Sequence, residues 1–449
     1  MNKNNYAHWT SRWVFILAAT GSAVGLGNIW KFPYITGENG GGAFVLVYLA
    51  CIFALGIPVM MAEVMLGKAG RADPIKTMSK LTEQSQASKF WVIIGIMGVI
   101  TGLMILSFYS VIAGWALEYV LNSAQGSFSG QSAELIGEQF SQLLENNTRL
   151  TITHTVFIII TGCVVGLGVT KGLGNAVRIL MPLLFVLLLL LIAYSLIQGD
   201  ASRALHFMFD ADFSKLSSAS VLTALGHAFF TLSLGMGAIM VYGSYMPENA
   251  TIAKTVLTVA VLDTLIALGA GMAIFPLVFA NGLQAGQGPG LLFVTLPIAF
   301  SNMPGGAFFG TVFFILVAIA ALSSAISILE PAVAWMERRG ITRLRSTCSL
   351  VVLVWLGGLA CIYSNNWLEN KPADGFYFFE SLDHVASNIM LPLGGIFMAV
   401  FVGWIMKQAD VQKAIQIKAP AIYFCWLWAL RVIAPVSVTL IFANTLGWI

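Results

Sequence analysis

The chain has 449 residues, of which 58% are hydrophobic and only 10% charged, with a net charge of +3. A soluble domain neither needs nor tolerates that balance, so a soluble enzyme and a nucleic-acid-binding module are both excluded and an integral membrane protein is implied. The small positive charge has meaning only through where the basic residues fall.

Crossing roughly 30 Å of hydrocarbon takes about 20 apolar residues in a helix, and eleven segments reach that length. The first, 13 to 36, is interrupted by GSAVGLGNIWKFP (Gly21 to Pro33), whose glycines, asparagine, lysine and proline weaken a helix or resist lipid. The second, 42 to 66, carries Glu63. The third, 90 to 122, contains FYSVIAGW at 108 to 115. The fourth and fifth, 152 to 170 and 176 to 198, are separated by Gly172, with Pro182 inside the fifth. The sixth, 220 to 245, is broken at TLSLGMG, residues 231 to 237, with apolar sequence on both sides. The seventh, 253 to 280, holds Asp263 as its only charge apart from the flanking Lys254. The uncharged stretch 281 to 306 reads as a re-entrant lid on the outer face. The eighth, 307 to 336, carries Ser323 and Ser324; the ninth, 347 to 364, the tenth, 378 to 405, and the eleventh, 419 to 443, complete the set.

Seventeen of the 23 lysines and arginines fall on one side of this arrangement and four on the other, with Lys31 and Arg431 inside spans. The bias predicts a multi-pass protein of the cell (inner) membrane, its N-terminus cytoplasmic and, with an odd span count, its C-terminus extracellular or periplasmic. The five cysteines all sit in apolar segments without a CxxC spacing, so neither a disulfide nor a metal centre is expected. Nucleic-acid partners are not expected either; the lipid bilayer is the one macroscopic partner, and the oligomeric state is open.

Interrupted helices at equivalent places in two five-span halves point to a transporter built from inverted repeats, with its substrate site at the midplane. The expected fold is an all-α polytopic protein of eleven helices in a single domain over 1 to 449. Residues 12 to 199 form the first repeat, 220 to 405 the second, and 406 to 449 the eleventh helix. The alternative for Gly21 and Gly25 is a GxxxG packing face, but Asn28, Lys31 and Pro33 follow too closely for a simple packing helix.

GSAVGLGNIWKFPYITGENGGGAF, FYSVIAGW and AFFTLSLGMGAIMVYGSY at 228 to 245 resemble the first, third and sixth spans of the neurotransmitter:sodium symporters. The likeness covers nearly the whole chain, and it is greatest to bacterial transporters of multiple hydrophobic amino acids; a twelfth span common among relatives is missing. Physically, unwinding frees amides near Gly25, Leu26 and Gly27, which suit a carboxylate with the Tyr109 hydroxyl as a second donor. Freed carbonyls around Ala23, Phe230, Thr231 and Ser233 suit an ammonium group. An α-amino acid satisfies both ends.

The resemblance implies a first sodium site of Ala23, Asn28, Thr231 and Asp263, and a second of Gly21, Val24, Ala320, Ser323 and Ser324, all oxygen ligands as a hard cation requires. Read alone, the two serines could be helix-packing residues and Asp263 could pair with Arg431. Relatives usually have asparagine at position 263 and, when chloride-dependent, serine where this chain has Ala267. An aspartate supplies the negative charge that chloride would bring, so no chloride is expected. His227 stands where glutamine is usual and is either a packing residue or linked to protons.

Lys31 and Asp383 resemble an extracellular gate pair and Phe230 an aromatic lid, though both charges could simply be solvated. Glu63 resembles a carboxylate that receives amides from the unwound sixth span. Gly172 and Pro182 match a spacing at which the fifth span can unwind inward, unless Pro182 is an ordinary kink. The family's intracellular arginine and aspartate are replaced by Tyr6 and Arg338, with Trp9 and Arg12 as candidate substitutes. Leu26, Ile105, Tyr109, Phe230, Met236, Ser324, Ser327 and Ile328 would line the side-chain pocket, which holds no charge and so favours a neutral, hydrophobic or aromatic L-amino acid.

The function implied is sodium-coupled symport with one or two ions and no enzymatic chemistry. A sodium-independent exchanger on the same architecture is the alternative. A membrane enzyme lacks any His, Cys or acidic cluster at ligand spacing, and a channel would need no saturable site.

Overall fold

The computed structural model describes residues 9, 11–286, 290–367 and 378–445; Tyr6 lies outside them. Inner and outer denote the two sides distinguished by the lysine and arginine bias. The chain is all helical among the described residues. Its first crossing is α1 (Arg12–Ala23) followed by α2 (Gly27–Glu38), bent by 50°. Ser11 caps α1 by accepting the Val14 N–H, and the helix stops because Val24 turns extended, at φ −72° and ψ 109°. The chain resumes with one wide turn in which the Phe32 N–H reaches the Gly27 carbonyl, a geometry that leaves nearby backbone groups unpaired and recurs at functional sites.

The second and third crossings are α3 (Gly42–Gly70) and α5 (Lys89–Ala124), joined by the inner helix α4 (Pro74–Gln84). An outer helix α6 (Ala133–Glu145) leads to α7 (Asn147–Gly166) and α8 (Val169–Gln198). The latter does not unwind at Gly172 here. It opens with a wide turn over Val169–Gly174 after Gly168 at φ +98°, then runs unbroken through Pro182.

After the outer helix α9 (Ala201–Phe209), the sixth segment is divided into α10 (Ser218–Thr231) and α11 (Ala238–Ser244). Ser233, Gly235 and Gly237 between them take φ of +54°, +85° and +75°, a left-handed path that no helix continues through. At Gly235 a Cβ would lie 2.6 Å from the Leu391 carbonyl oxygen, so only glycine allows that approach. The remaining crossings are α12 (Ile252–Ala280), α14 (Gly306–Arg338), α15 (Arg343–Trp367), α16 (Phe378–Ile405) and α18 (Pro420–Leu440). Between them lie α13 (Leu291–Ser301) and an inner helix α17 (Gln408–Ile415). α13 buries Leu292 and Phe293; the Tyr119 hydroxyl of α5 donates to the Phe293 carbonyl at 2.8 Å, and the Phe293 ring lies 6.2 Å from that of Phe314 on α14.

By length and composition, nine described helices cross a membrane on their own and the bent first pair makes ten. The expected count of eleven is not reached on that measure because the sixth segment consists of two halves, of 14 and 7 residues, each too short alone. The broken segments sit at the centre: α1 packs against α14 and α12, and α11 against α3. Long apolar side chains such as Ile159, Leu189 and Leu353 are exposed instead on peripheral helices, which is how a surface facing lipid reads.

Candidate functional site

The two breaks meet. The Ser233 hydroxyl, on the unwound stretch after α10, donates to the Ser22 carbonyl in the last turn of α1 at 2.8 Å. That stretch is held from behind by Glu63 of α3, whose carboxylate accepts the Gly235 and Met240 N–H groups at 3.1 and 3.3 Å. Glu63 thus supplies the acceptors that the missing helical turn would have supplied, as the sequence resemblance implied.

Asn28, Thr231 and Asp263 converge on one point, all of them buried. The Asn28 Nδ2 donates to Thr231 Oγ1 at 3.0 Å, to Asp263 Oδ1 at 2.8 Å and to the Asp263 carbonyl at 3.2 Å, while its Oδ1 accepts the Gly25 N–H at 3.1 Å. A half-turn of that amide exchanges Oδ1 and Nδ2 and would add its oxygen to the set. The donor chemistry fits a hard cation: a carboxylate, a hydroxyl and the Asp263 carbonyl, with the Asn28 amide oxygen after that half-turn. Arg431 is not the partner of Asp263, since its Nε donates to the Gly403 carbonyl at 2.7 Å and its guanidinium lies over the Trp404 ring.

A second oxygen cluster lies where α1 ends against α14. Ser324 Oγ stands 3.5, 3.3 and 3.1 Å from the carbonyl oxygens of Gly21, Ser22 and Val24. Ser323 Oγ is 3.4 Å from the Val24 carbonyl and 3.0 Å from that of Ala320. The five residues assigned to this site are therefore brought together, and Ser22 joins them; nothing in its sequence context marked it. Two serines bonded only to their own helix would fit mere packing, but both also reach across to α1.

Beyond the break, the Leu26 N–H donates to the Tyr109 hydroxyl at 3.4 Å. A Cβ on Gly25 would lie 2.4 Å from Ser324 Oγ and 3.0 Å from the Tyr109 hydroxyl, and one on Gly27 3.2 Å from the Phe230 ring. Amides that make no helical hydrogen bond, a tyrosine hydroxyl and room that only glycine leaves are what a carboxylate needs at the start of a helix. Below lie Ile105, Met236, Ser327 and Ile328, all buried. Gly102, one turn before Ile105, would place a Cβ 3.4 Å from Ile328 Cγ2 and 3.7 Å from the Met236 carbonyl oxygen. It is a position of close approach to Ile328 and Met236 that sequence reasoning did not single out.

The two gate charges stand apart. The Lys31 ammonium lies 4.5 Å from the centroid of the Phe230 ring, and Asp383 accepts the Ser387 hydroxyl at 2.6 Å. Lys31 and Phe230 thus form one unit, a cation on the face of an aromatic ring. His227 is buried against Phe32 and Tyr48, with ring centroids 6.1 and 5.4 Å away, and neither ring nitrogen meets a hydrogen-bond partner among the described residues. It packs between aromatic rings without a hydrogen bond among the described residues.

Replacing Tyr109 with phenylalanine removes one donor to a carboxylate and leaves the ring in place. Substrate affinity is expected to fall about tenfold to a hundredfold, the worth of one hydrogen bond to a charged group. Equilibrium binding of labelled substrate measures it, and unchanged affinity would take Tyr109 out of the site.

The chain matches the family model described as the sodium:neurotransmitter symporter family over residues 6–133 and 136–447. It is 34% identical over 452 residues to an uncharacterized sodium-dependent transporter, YhdH, of Bacillus subtilis (strain 168), covering 100% of this chain and 99% of that one. It is 30% identical to a Haemophilus influenzae sodium-dependent transporter, covering 99% of both, and 24% identical to the Bos taurus sodium-dependent dopamine transporter, covering 93% of this chain and 66% of that one. Among solved structures it superposes on that of MhsT in complex with L-phenylalanine with a TM-score of 0.89 at 43% identity, over 97% of this chain and 99% of the other. This protein belongs to the sodium:neurotransmitter symporter family.

Proposed function

We propose that the chain is a sodium-coupled symporter that imports neutral, hydrophobic or aromatic L-amino acids by alternating access, without chloride. The observation that carries this reading is the convergence of buried oxygens at two points flanking the break in the first crossing. One is built around Asp263 and Asn28 and the other around Ser323 and Ser324. Between them, the Gly25 to Gly27 amides and Tyr109 offer a seat for a carboxylate, with the Ala23 side of the break and the Phe230, Thr231 and Ser233 carbonyls left for an ammonium group.

The uncharged wall of Ile105, Met236, Ser327 and Ile328 disfavours charged side chains, which would lose water and gain no partner. Met236 is flexible and polarizable, which supports a range of side-chain sizes. The structure of MhsT holds L-phenylalanine, which supports that class. Two sodium sites make a stoichiometry of two the natural reading. Two charges moving through 100 mV supply about 4.6 kcal/mol, enough for more than about a thousandfold accumulation.

In this reading residues 12 to 199 and 220 to 405 are inverted repeats, and the crossings one, two, six and seven rock as a bundle against the rest. Phe230 closes over the site from outside, with Lys31 on its ring. The N-terminus faces the cytoplasm.

Uptake into proteoliposomes under an inward sodium gradient, with each of the twenty amino acids as competitor, tests the reading. The expected result is saturable uptake of an aromatic or aliphatic amino acid that needs sodium and persists in gluconate. Equal counterflow without sodium would replace symport with exchange.

A further inference from the structure

Arg431 is a charge inside a crossing that the transport site does not use. It lies where α18 meets α16, and both helices widen there: α16 makes a wide turn over Phe401–Ile405 and α18 one over Ala429–Ile433. Such turns recur at functional sites. Side chains bridge the two. Arg431 Nε donates to the Gly403 carbonyl at 2.7 Å, and the Trp404 indole N–H donates to the Arg431 carbonyl at 3.3 Å. Only glycine leaves the arginine stem this much room, since a Cβ at Gly403 would lie 3.1 Å from Arg431 Cγ. The corner is pinned from the inner side as well, by Gln408 Nε2 on the Gly403 carbonyl at 3.2 Å and the Tyr423 hydroxyl on Gln408 Oε1 at 2.8 Å. The guanidinium is thereby held over the Trp404 ring, 5.2 Å from its centroid.

What this guanidinium lacks is an anion. Of its N–H groups only that on Nε has an acceptor; those on the two terminal nitrogens have none, and no carboxylate pairs with it, among the described residues. It is only partly covered, and the surface around it faces lipid, with Trp404 60% exposed and Trp428, one turn away on α18, 50%. An uncompensated arginine against hydrocarbon is costly, so its partner must come from outside the protein. The depth says what that partner is. Gly403 and Trp404 stand just before α16 ends, where Met406 turns extended at ψ 145° and the exposed Lys407 follows. Exposed tryptophans at a helix end mark the interface between hydrocarbon and headgroups, and the acceptors at that level are lipid phosphates.

The geometry points to a lipid site: Arg431, seated on Trp404 at the junction of the tenth and eleventh crossings, binds the phosphate of an anionic phospholipid of the inner leaflet. The planar guanidinium presents two parallel N–H groups to two phosphate oxygens, a match that a lysine cannot make. The indole beneath it supplies a flat apolar seat that also holds the cation. Net charge selects the headgroup. Residues 407–418 carry Lys407, Lys413 and Lys418 against the single Asp410, which favours a negatively charged headgroup over one whose own ammonium neutralises its phosphate. The site makes no demand on the sodium and substrate sites and holds equally for a symporter and an exchanger.

Native mass spectrometry of the full-length protein in detergent, titrated with dioleoylphosphatidylglycerol, dioleoylphosphatidylethanolamine or inorganic phosphate, tests the site. The parent should bind its first phosphatidylglycerol about tenfold more tightly than phosphatidylethanolamine, and inorganic phosphate should not displace it. Arg431→Gln should erase that preference. Arg431→Lys, which keeps the charge without the planar fork, and Trp404→Leu should each weaken it about threefold. Lys254→Gln removes an exposed charge elsewhere on the inner side and should leave the preference intact. A parent without the preference, an Arg431→Gln chain that keeps it, or a Lys254→Gln chain that loses as much would overturn the proposal. So would displacement by inorganic phosphate, which would make this a free-anion site. Where thermal unfolding shows that Arg431→Gln does not fold, Arg431→Lys and Trp404→Leu decide, and parent affinity in both would overturn the proposal equally.

Discussion

Asp263→Ala is expected to abolish sodium-stimulated uptake, a loss of at least about a hundredfold, while the protein stays folded. The carboxylate is fully buried in α12, and among the described residues its hydrogen bonds go to Asn28 and Thr231, both polar and neutral. Among the described residues no cation pairs with it. A buried aspartate left without a cation costs several kcal/mol, which a sodium ion at that point, as proposed, would offset. Truncation to alanine removes the one formal charge facing the ion and leaves hydroxyl and carbonyl dipoles, too weak a field to strip a hard cation of its water. Folding should survive, because Asn28 keeps Thr231 Oγ1 and the backbone carbonyl of residue 263. Sodium titrations of uptake and thermal unfolding in detergent measure the two halves of the expectation. Normal sodium stimulation in the variant would remove the first ion site as assigned. Asp263→Asn, which keeps the shape but not the charge, should retain transport with a clearly weaker apparent sodium affinity.

Gly25→Ala is expected to be nearly as severe, for a steric reason. Its Cβ would lie 2.4 Å from Ser324 Oγ and 3.0 Å from the Tyr109 hydroxyl. Both atoms can move, but each move removes function: Ser324 Oγ would leave the Gly21, Ser22 and Val24 carbonyls, and the Tyr109 hydroxyl would leave the Leu26 N–H. One methyl would thus perturb the proposed second ion site and the proposed carboxylate seat together, so uptake should fall by about two orders of magnitude or more, with both sodium and substrate affinity reduced. Binding of labelled amino acid as a function of sodium separates the two losses. Wild-type affinity for both would show that the ligand does not approach the backbone at the first break.

The two breaks were legible in sequence because glycine clusters with polar neighbours are expensive inside an apolar run. Glu330 obeyed the same logic as Asp263 and was passed over. It stands in AISILEPAVAW with no other charge, and its partner Arg343 follows thirteen residues later across a turn, outside the reach of any helical periodicity. Ser22 could not have been found, for it contributes a carbonyl, which every residue has. The wall position Gly102 was hidden for the same reason: it matters through the side chain it lacks.

The sequence by itself determined that this protein lies in the membrane, where its helices break, and which isolated acidic and hydroxyl residues sit beside the breaks. Those properties follow from hydropathy and backbone chemistry, which are local. Only the tertiary structure decided which oxygens face one another, that Arg431 lies away from Asp263, that Lys31 stands over Phe230 rather than against Asp383, and that Arg338 meets Asp73. Pairing between helices depends on their rotation and depth, and those are set by the packing of all the crossings together.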